Sequence, residues 1–154
     1  MERIGGGPIF IKKSMISRLS HVSFFVLDQA RAMDFYINKL GFELKMNVAV
    51  GDKGSWVTVS PPGQAIEITL IPVDTELMFK KDTSEKLAEL IRAKAFGFGV
   101  FECKDVFATY EELKSKGVEF LKEPVETGGK PEALFMDDSG NFFGLCQSTA
   151  SDIS

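Results

Sequence analysis

Between Arg18 and Asp28 the side chains alternate: Val22, Phe24 and Val26 fall on one side of an extended strand, and His21, Ser23 and Phe25 on the other. Beyond Asp28 the period lengthens. Met33, Tyr36, Ile37 and Leu40 recur at i, i+3, i+4 and i+7, which predicts an amphipathic helix capped by Asp28 and stopped at Gly41. The succession then returns. Ala95 to Lys104 reads as a strand, Asp105 as a cap, and Val106, Thr109, Tyr110 and Leu113 as one helix face ending at Gly117. Gly41-Phe42-Glu43-Leu44 is echoed by Gly117-Val118-Glu119-Phe120, and the turn and strand from Gly63 to Ile68 by Gly140 to Leu145. Asp28 and Asp105 lie 77 positions apart, as do Gly63 and Gly140. Trp56 to Val59 and Ala133 to Met136 add a further strand to each half. A repeat of this length is one supersecondary unit used twice.

The pattern predicts two modules, each a strand, a helix and two or three further strands, whose curved sheets carry helices on one side and leave a concave surface on the other. Residues 1–17 form an extension, 18–73 the first module, 74–94 a linker, 95–148 the second module and 149–154 a tail. The linker carries a short helix with Leu87, Leu90 and Ile91 on one face, capped by Thr83 or Ser84. The first 14 residues and the last six read as loosely ordered ends. Because the helices need an apolar partner, they cover the Val22 and Ile66 faces, which leaves His21 and Glu67 on the opposite, concave face. Applying the same offset to the second module puts Phe98, Val100, Glu102, Gly144 and Cys146 on that face, and Cys103 on the helix side as an inert core thiol.

Composition narrows the chemistry. The net charge of −4 and the pI near 5.1 argue against binding a nucleic-acid backbone. His21 is the single histidine, so one copy cannot build a zinc or iron site that needs two imidazoles. Cys103 and Cys146 form no CxxC pair, no apolar run reaches the roughly 18 residues of a membrane span, and Gly5-Gly6-Gly7 stands where a leader would be apolar. The expectation is a cytoplasmic protein with reduced thiols. Gly128-Gly129-Lys130 is followed by Pro131 rather than Ser or Thr, so it reads as a mobile loop over the cup and not as a phosphate loop. Glu67 lies between Ile66 and Ile68, a setting that makes a general base or a paired carboxylate.

The run His21-Val-Ser-Phe-Phe-Val-Leu-Asp28, then Phe35-Tyr36 and Leu40-Gly41-Phe42, resembles the vicinal oxygen chelate superfamily of glyoxalases, bleomycin-resistance proteins and extradiol dioxygenases. Asp137-Asp138-Ser139-Gly140-Asn141 is similar to its penultimate turn, and the likeness spans about residues 18–148. It implies an α+β fold of paired βαβββ modules forming curved mixed sheets around a ligand cup, completed by a homodimer, and metal ligands at four strand positions: His21 and Glu67, then Phe98 and Gly144. The first pair suits a metal. The second has no donor atom to offer. Within that resemblance Glu67 and His21 are the catalytic candidates, and Phe25, Trp56, Phe98, Glu102 and Phe142 the ligand-binding ones. Aromatic rings there suit a flat or apolar ligand. The reading is a binder of a small organic molecule without a full metal site and with no cofactor. The alternatives are a lyase or isomerase resembling glyoxalase I, using a weakly held divalent metal at His21 and Glu67, and a non-enzymatic dimeric scaffold. No nucleic acid or membrane partner is expected.

Overall fold

The structure is a computed structural model that describes residues 3–4, 7–8, 13–75, 77–126 and 128–149. The expectation for the chain ends therefore falls mainly outside the described residues.

The elements of the first module are β1 (His21–Val26), α1 (Gln29–Asp34), β2 (Glu43–Ala49), β3 (Ser55–Ser60) and β4 (Glu67–Pro72). The linker holds α2 (Lys81–Arg92). The second module contains β5 (Gly97–Cys103), α3 (Val106–Ser115), β6 (Phe120–Lys122), β7 (Glu132–Met136) and β8 (Phe142–Gln147). Each module is a four-stranded mixed sheet of identical topology, ordered β1-β4-β3-β2 and β5-β8-β7-β6, with the first pair of strands parallel and the others antiparallel.

Local signals read in the sequence operate as expected at both helix starts. Asp28 accepts the Arg31 N–H at 2.9 Å, and Asp105 the Ala108 N–H at 3.0 Å. Gly41 and Gly117 end the helical stretches at φ of 79° and 87°, where a side chain would strain the backbone. Two local features differ. The first helix widens into a π-helical turn over Phe35–Lys39, closed by Leu40 N–H to the Phe35 carbonyl, which seats Phe35 and Tyr36 fully inward. The linker helix begins at Lys81 with Lys80 in the cap position and no side-chain cap bond, so neither Thr83 nor Ser84 caps it. Of its expected apolar face, Ile91 is buried and Leu90 is exposed.

A single core serves both modules. Phe24, Val26, Tyr36, Val57 and Leu70 of the first pack in one cluster with Val106, Leu113, Phe135, Phe143 and Leu145 of the second. Rings carry much of it: Phe24 lies 5.1 Å from Phe143 and 5.2 Å from Phe98, centre to centre.

The turn Asp137–Asn141 bolts the second module to the first. Ser139 Oγ accepts the Leu27 N–H, Asn141 Nδ2 donates to the Phe25 carbonyl, and Tyr36 OH donates to Asp137 Oδ2. In the same turn Asp138 has a buried Oδ1 with no donor, and burial, together with the neighbouring Asp137 carboxylate, raises its pKa to about 6. A folded-state pKa above the unfolded one means that the ionised form opposes folding. The contribution of Asp138 is therefore favourable below about pH 4 and lost as the pH rises through about 6. Asp138→Asn should be more stable than the parent at pH 7.5 and close to it at pH 4. Urea melts at the two values check this; equal stability at both would show that Asp138 is fully solvated.

Candidate functional site

Strand alternation decides what the outer face of the first sheet carries. Val22, Phe24 and Val26 enter the core or pack against it, so His21, Ser23 and Phe25 face outward. Register then assembles rows across the sheet. His21 pairs with Glu67 in parallel, and Ser23, Thr69, Thr58 and Met46 form the next row. Beyond it, Phe25 pairs with Ile71, and Trp56 with Val48. The face therefore runs from a charged end to an apolar end, with Thr58, Thr69 and Ile71 buried in it and His21, Glu67, Val48 and Trp56 accessible.

At the charged end three strand residues and Ser20, just before β1, touch in sequence. Ser20 Oγ lies 2.9 Å from His21 Nδ1, His21 Nε2 lies 3.4 Å from Glu67 Oε2, and the Thr58 hydroxyl donates to Glu67 Oε1 at 2.6 Å. Thr58 is fully buried, whereas the side chains of His21 and Glu67 are 46% and 28% exposed. A half-exposed pair at this distance adds little to stability. Its chemical value lies in what it presents to a ligand: an imidazole and a carboxylate whose second oxygen is fixed by Thr58.

Trp56 is half-buried beside the exposed Val48, as a ring floor requires. Phe25 is partly covered by Phe79 of the linker, which it meets edge-on at 5.4 Å, and by Phe96 just before β5, at 6.3 Å.

In the second sheet the expected placements need correction. A bulge between Phe142 and Phe143 pairs Phe142 with Gly97 and Phe143 with Gly99, leaving Phe98 as the extra residue. Phe98 therefore turns inward, stacked on Phe24 at 5.2 Å and on Phe96 at 5.6 Å, rather than lining the outer face. The same ladder makes Phe142, not Gly144, the counterpart of Glu67, because Cys103 pairs with Gln147 where Val26 pairs with Pro72. The offset of 77 that holds for the first strands becomes 75 for the last. The ring of Phe142 lies over Gly97, its Cε2 2.3 Å from where a Cβ would stand.

Around these residues is a depression of about 420 Å³ bordered by Gly97, Val100, Leu134, Phe142, Gly144 and Cys146. Glu102 is exposed at the far end of the same face, beside Cys146 in register and 3.5 Å from Ser148 Oγ. Burial and the Glu102 carboxylate raise the Cys146 thiol pKa, so it stays protonated. Cys103 packs against the core. Sequence reasoning missed Leu134 and Thr58; the alternation in β7 and β3 carried that signal.

A divalent metal of the kind used by this fold's enzymes does not fit the donors of one chain. His21 and Glu67 offer one nitrogen and one free carboxylate oxygen, while the ladder-equivalent residues Gly97 and Phe142 offer none. Among the described residues no group of three or more His, Cys, Asp or Glu side chains converges on a point.

The family model described as Glyoxalase/Bleomycin resistance protein/Dioxygenase superfamily matches residues 18–145. The uncharacterized protein YetH of Bacillus subtilis (strain 168) is 34% identical over 129 residues, covering 84% of this chain and 97% of that protein. The crystal structure of UcmS2 is 40% identical with a TM-score of 0.81, covering 87% of this chain and 100% of that one. That of TnmS3, an antibiotic binding protein from Streptomyces sp. CB03234, is 27% identical with a TM-score of 0.68, covering 89% and 100%. Among the described residues no helix is long and apolar enough to cross a membrane.

Proposed function

Because the chain belongs to the glyoxalase/bleomycin resistance protein/dioxygenase superfamily, we propose that it binds a small organic molecule on its outer sheet faces without a full metal site. The observation that carries this reading is the Phe142 ring over Gly97, at the place where a second donor pair would have to be. The graded face supports a ligand with one polar end and a flat apolar body. The polar end meets Glu67 and His21, and the body lies on Trp56 and Val48. The antibiotic-binding description of TnmS3 is consistent with such a ligand.

The cup is completed in this proposal by a second copy, which brings its Gly97–Phe142 face opposite the His21–Glu67 face. Exposed apolar residues on both faces support this: Met46 is 39%, Val48 54% and Val100 66% exposed.

Trp56 is the single tryptophan and sits in the floor, so its emission reports occupancy. A panel of planar aromatic antibiotics, with metal-free bleomycin alongside, should quench it saturably. Glu67→Gln should weaken the best ligand about tenfold, roughly 1.4 kcal/mol, with little change in melting temperature. Quenching by no compound in the panel would sink the binder reading. The His21–Glu67 contact favours one rival, a metal-assisted lyase or isomerase. It would gain if zinc or nickel raised the melting temperature and His21→Ala abolished that rise.

A further inference from the structure

The four strands of the first sheet hold two carboxylates and one cation: Glu43 and Lys45 on β2 and Glu67 on β4, with none on β1 or β3. Lys45 is engaged by Glu43 at 2.9 Å. Glu67 has no lysine or arginine partner among the described residues. Its side-chain contacts are the Thr58 hydroxyl on Oε1 and the His21 imidazole, 3.4 Å from Oε2. Arg18, the basic residue nearest to His21 along the chain, is exposed and makes no ion pair among the described residues.

Glu43 lies in the same row of the sheet. It pairs with Ser60, and the ladder that joins Thr58 to Thr69 and Val59 to Ile68 carries on to set Ser60 against Glu67. Two strand spacings, about 10 Å, separate the two glutamates, so Glu43 adds a screened negative field and no direct contact. The hydrogen-bond chain at the other side of Glu67 works in the same direction. When His21 Nδ1 donates to Ser20 Oγ, Nε2 is an acceptor, and it stands beside Glu67 Oε2 with no proton between them.

A flat ligand body lying on Trp56 and Val48 takes water away from this end of the face. Glu67 is already only 28% exposed. Stripping its remaining water with no cation in reach costs more than a neutral head group returns, and an anionic head group adds repulsion. We propose that the ligand carries a protonated aliphatic amine, which donates to Glu67 Oε2 in a charge-assisted hydrogen bond while Thr58 holds Oε1. This assignment rests on the binding reading above and narrows it to flat aromatic compounds with a cationic end.

Three probes with one planar body test it: 9-(aminomethyl)anthracene, 9-(hydroxymethyl)anthracene and anthracene-9-carboxylate. Each is titrated against the full chain by Trp56 quenching. The amine should bind about tenfold more tightly than the alcohol, and the carboxylate more weakly than either. In Glu67→Gln the amine should fall to within about twofold of the alcohol, while the alcohol keeps its affinity. Should that variant not fold, the parent decides alone: from about 20 to about 500 mM sodium chloride the affinity for the amine should fall and that for the alcohol stay level. Equal affinity for amine and alcohol overturns the amine and leaves the binding reading standing. A preference that survives in Glu67→Gln, or that ignores salt, also overturns it. If none of the three quenches while a compound of the antibiotic panel does, the amine falls and the binding reading again survives; silence from probes and panel alike sinks both.

Discussion

Asp137→Ala is expected to destabilise the protein by about 3–5 kcal/mol, the range found when one partner of a buried charged network is removed. The carboxylate is 6% exposed and accepts five hydrogen bonds, three of them from consecutive backbone N–H groups of its own turn. The other two come from the Tyr36 hydroxyl, at 2.8 Å, and from the Asn141 amide, at 2.9 Å. Alanine would leave these donors buried and unmet, and would break the contact between Tyr36 of the first module and the turn of the second. Burial and the Asp137 charge hold the Tyr36 phenol far above its usual pKa, so it remains a neutral donor throughout the working range. Tyr36→Phe removes one donor and keeps the ring, and should cost about 1–2 kcal/mol. Urea unfolding of the two variants measures both. A loss below about 1 kcal/mol for Asp137→Ala would mean that water replaces the network.

Gly97→Ala tests the arrangement on which the binding proposal rests. The added methyl would stand 2.3, 2.6 and 2.9 Å from three atoms of the Phe142 ring, so the ring must swing away. Overpacking of this kind costs about 1–3 kcal/mol. Pairing the substitution with Phe142→Ala should recover most of that loss, since the methyl then fills space the ring has vacated. Phe142→Ala alone should enlarge the depression beside Val100 and Leu134 and change which panel compounds quench Trp56. Additive losses in the double variant would show that the ring and Gly97 are not in contact.

Much of the architecture was legible without coordinates because it depends on local chemistry. Asp28 and Asp105 cap helices through bonds three residues long, and Gly41 and Gly117 end helical stretches through their own backbone freedom. Alternation placed Val22 and Phe24 inward and His21 and Glu67 together on the other face, since both strands keep a period of two without interruption.

The second sheet shows where such reasoning ends. An offset counted along the chain assumes unbroken ladders. The bulge at Phe98 inserts one residue and turns its ring inward, while the shorter connection into β8 separately makes Phe142 the counterpart of Glu67. Nothing in the run Gly97-Phe98-Gly99 announces this, because a bulge is settled by which partner strand and which core rings the residue meets. The sequence by itself determined the repeat, the helix caps and the lone imidazole with its carboxylate. Only the tertiary structure decided the register of β5 on β8 and the shared core. The β5–β8 pairs join residues 44 or 45 positions apart and the Phe24–Phe143 contact residues 119 apart, and packing rather than local preference chooses between their alternatives.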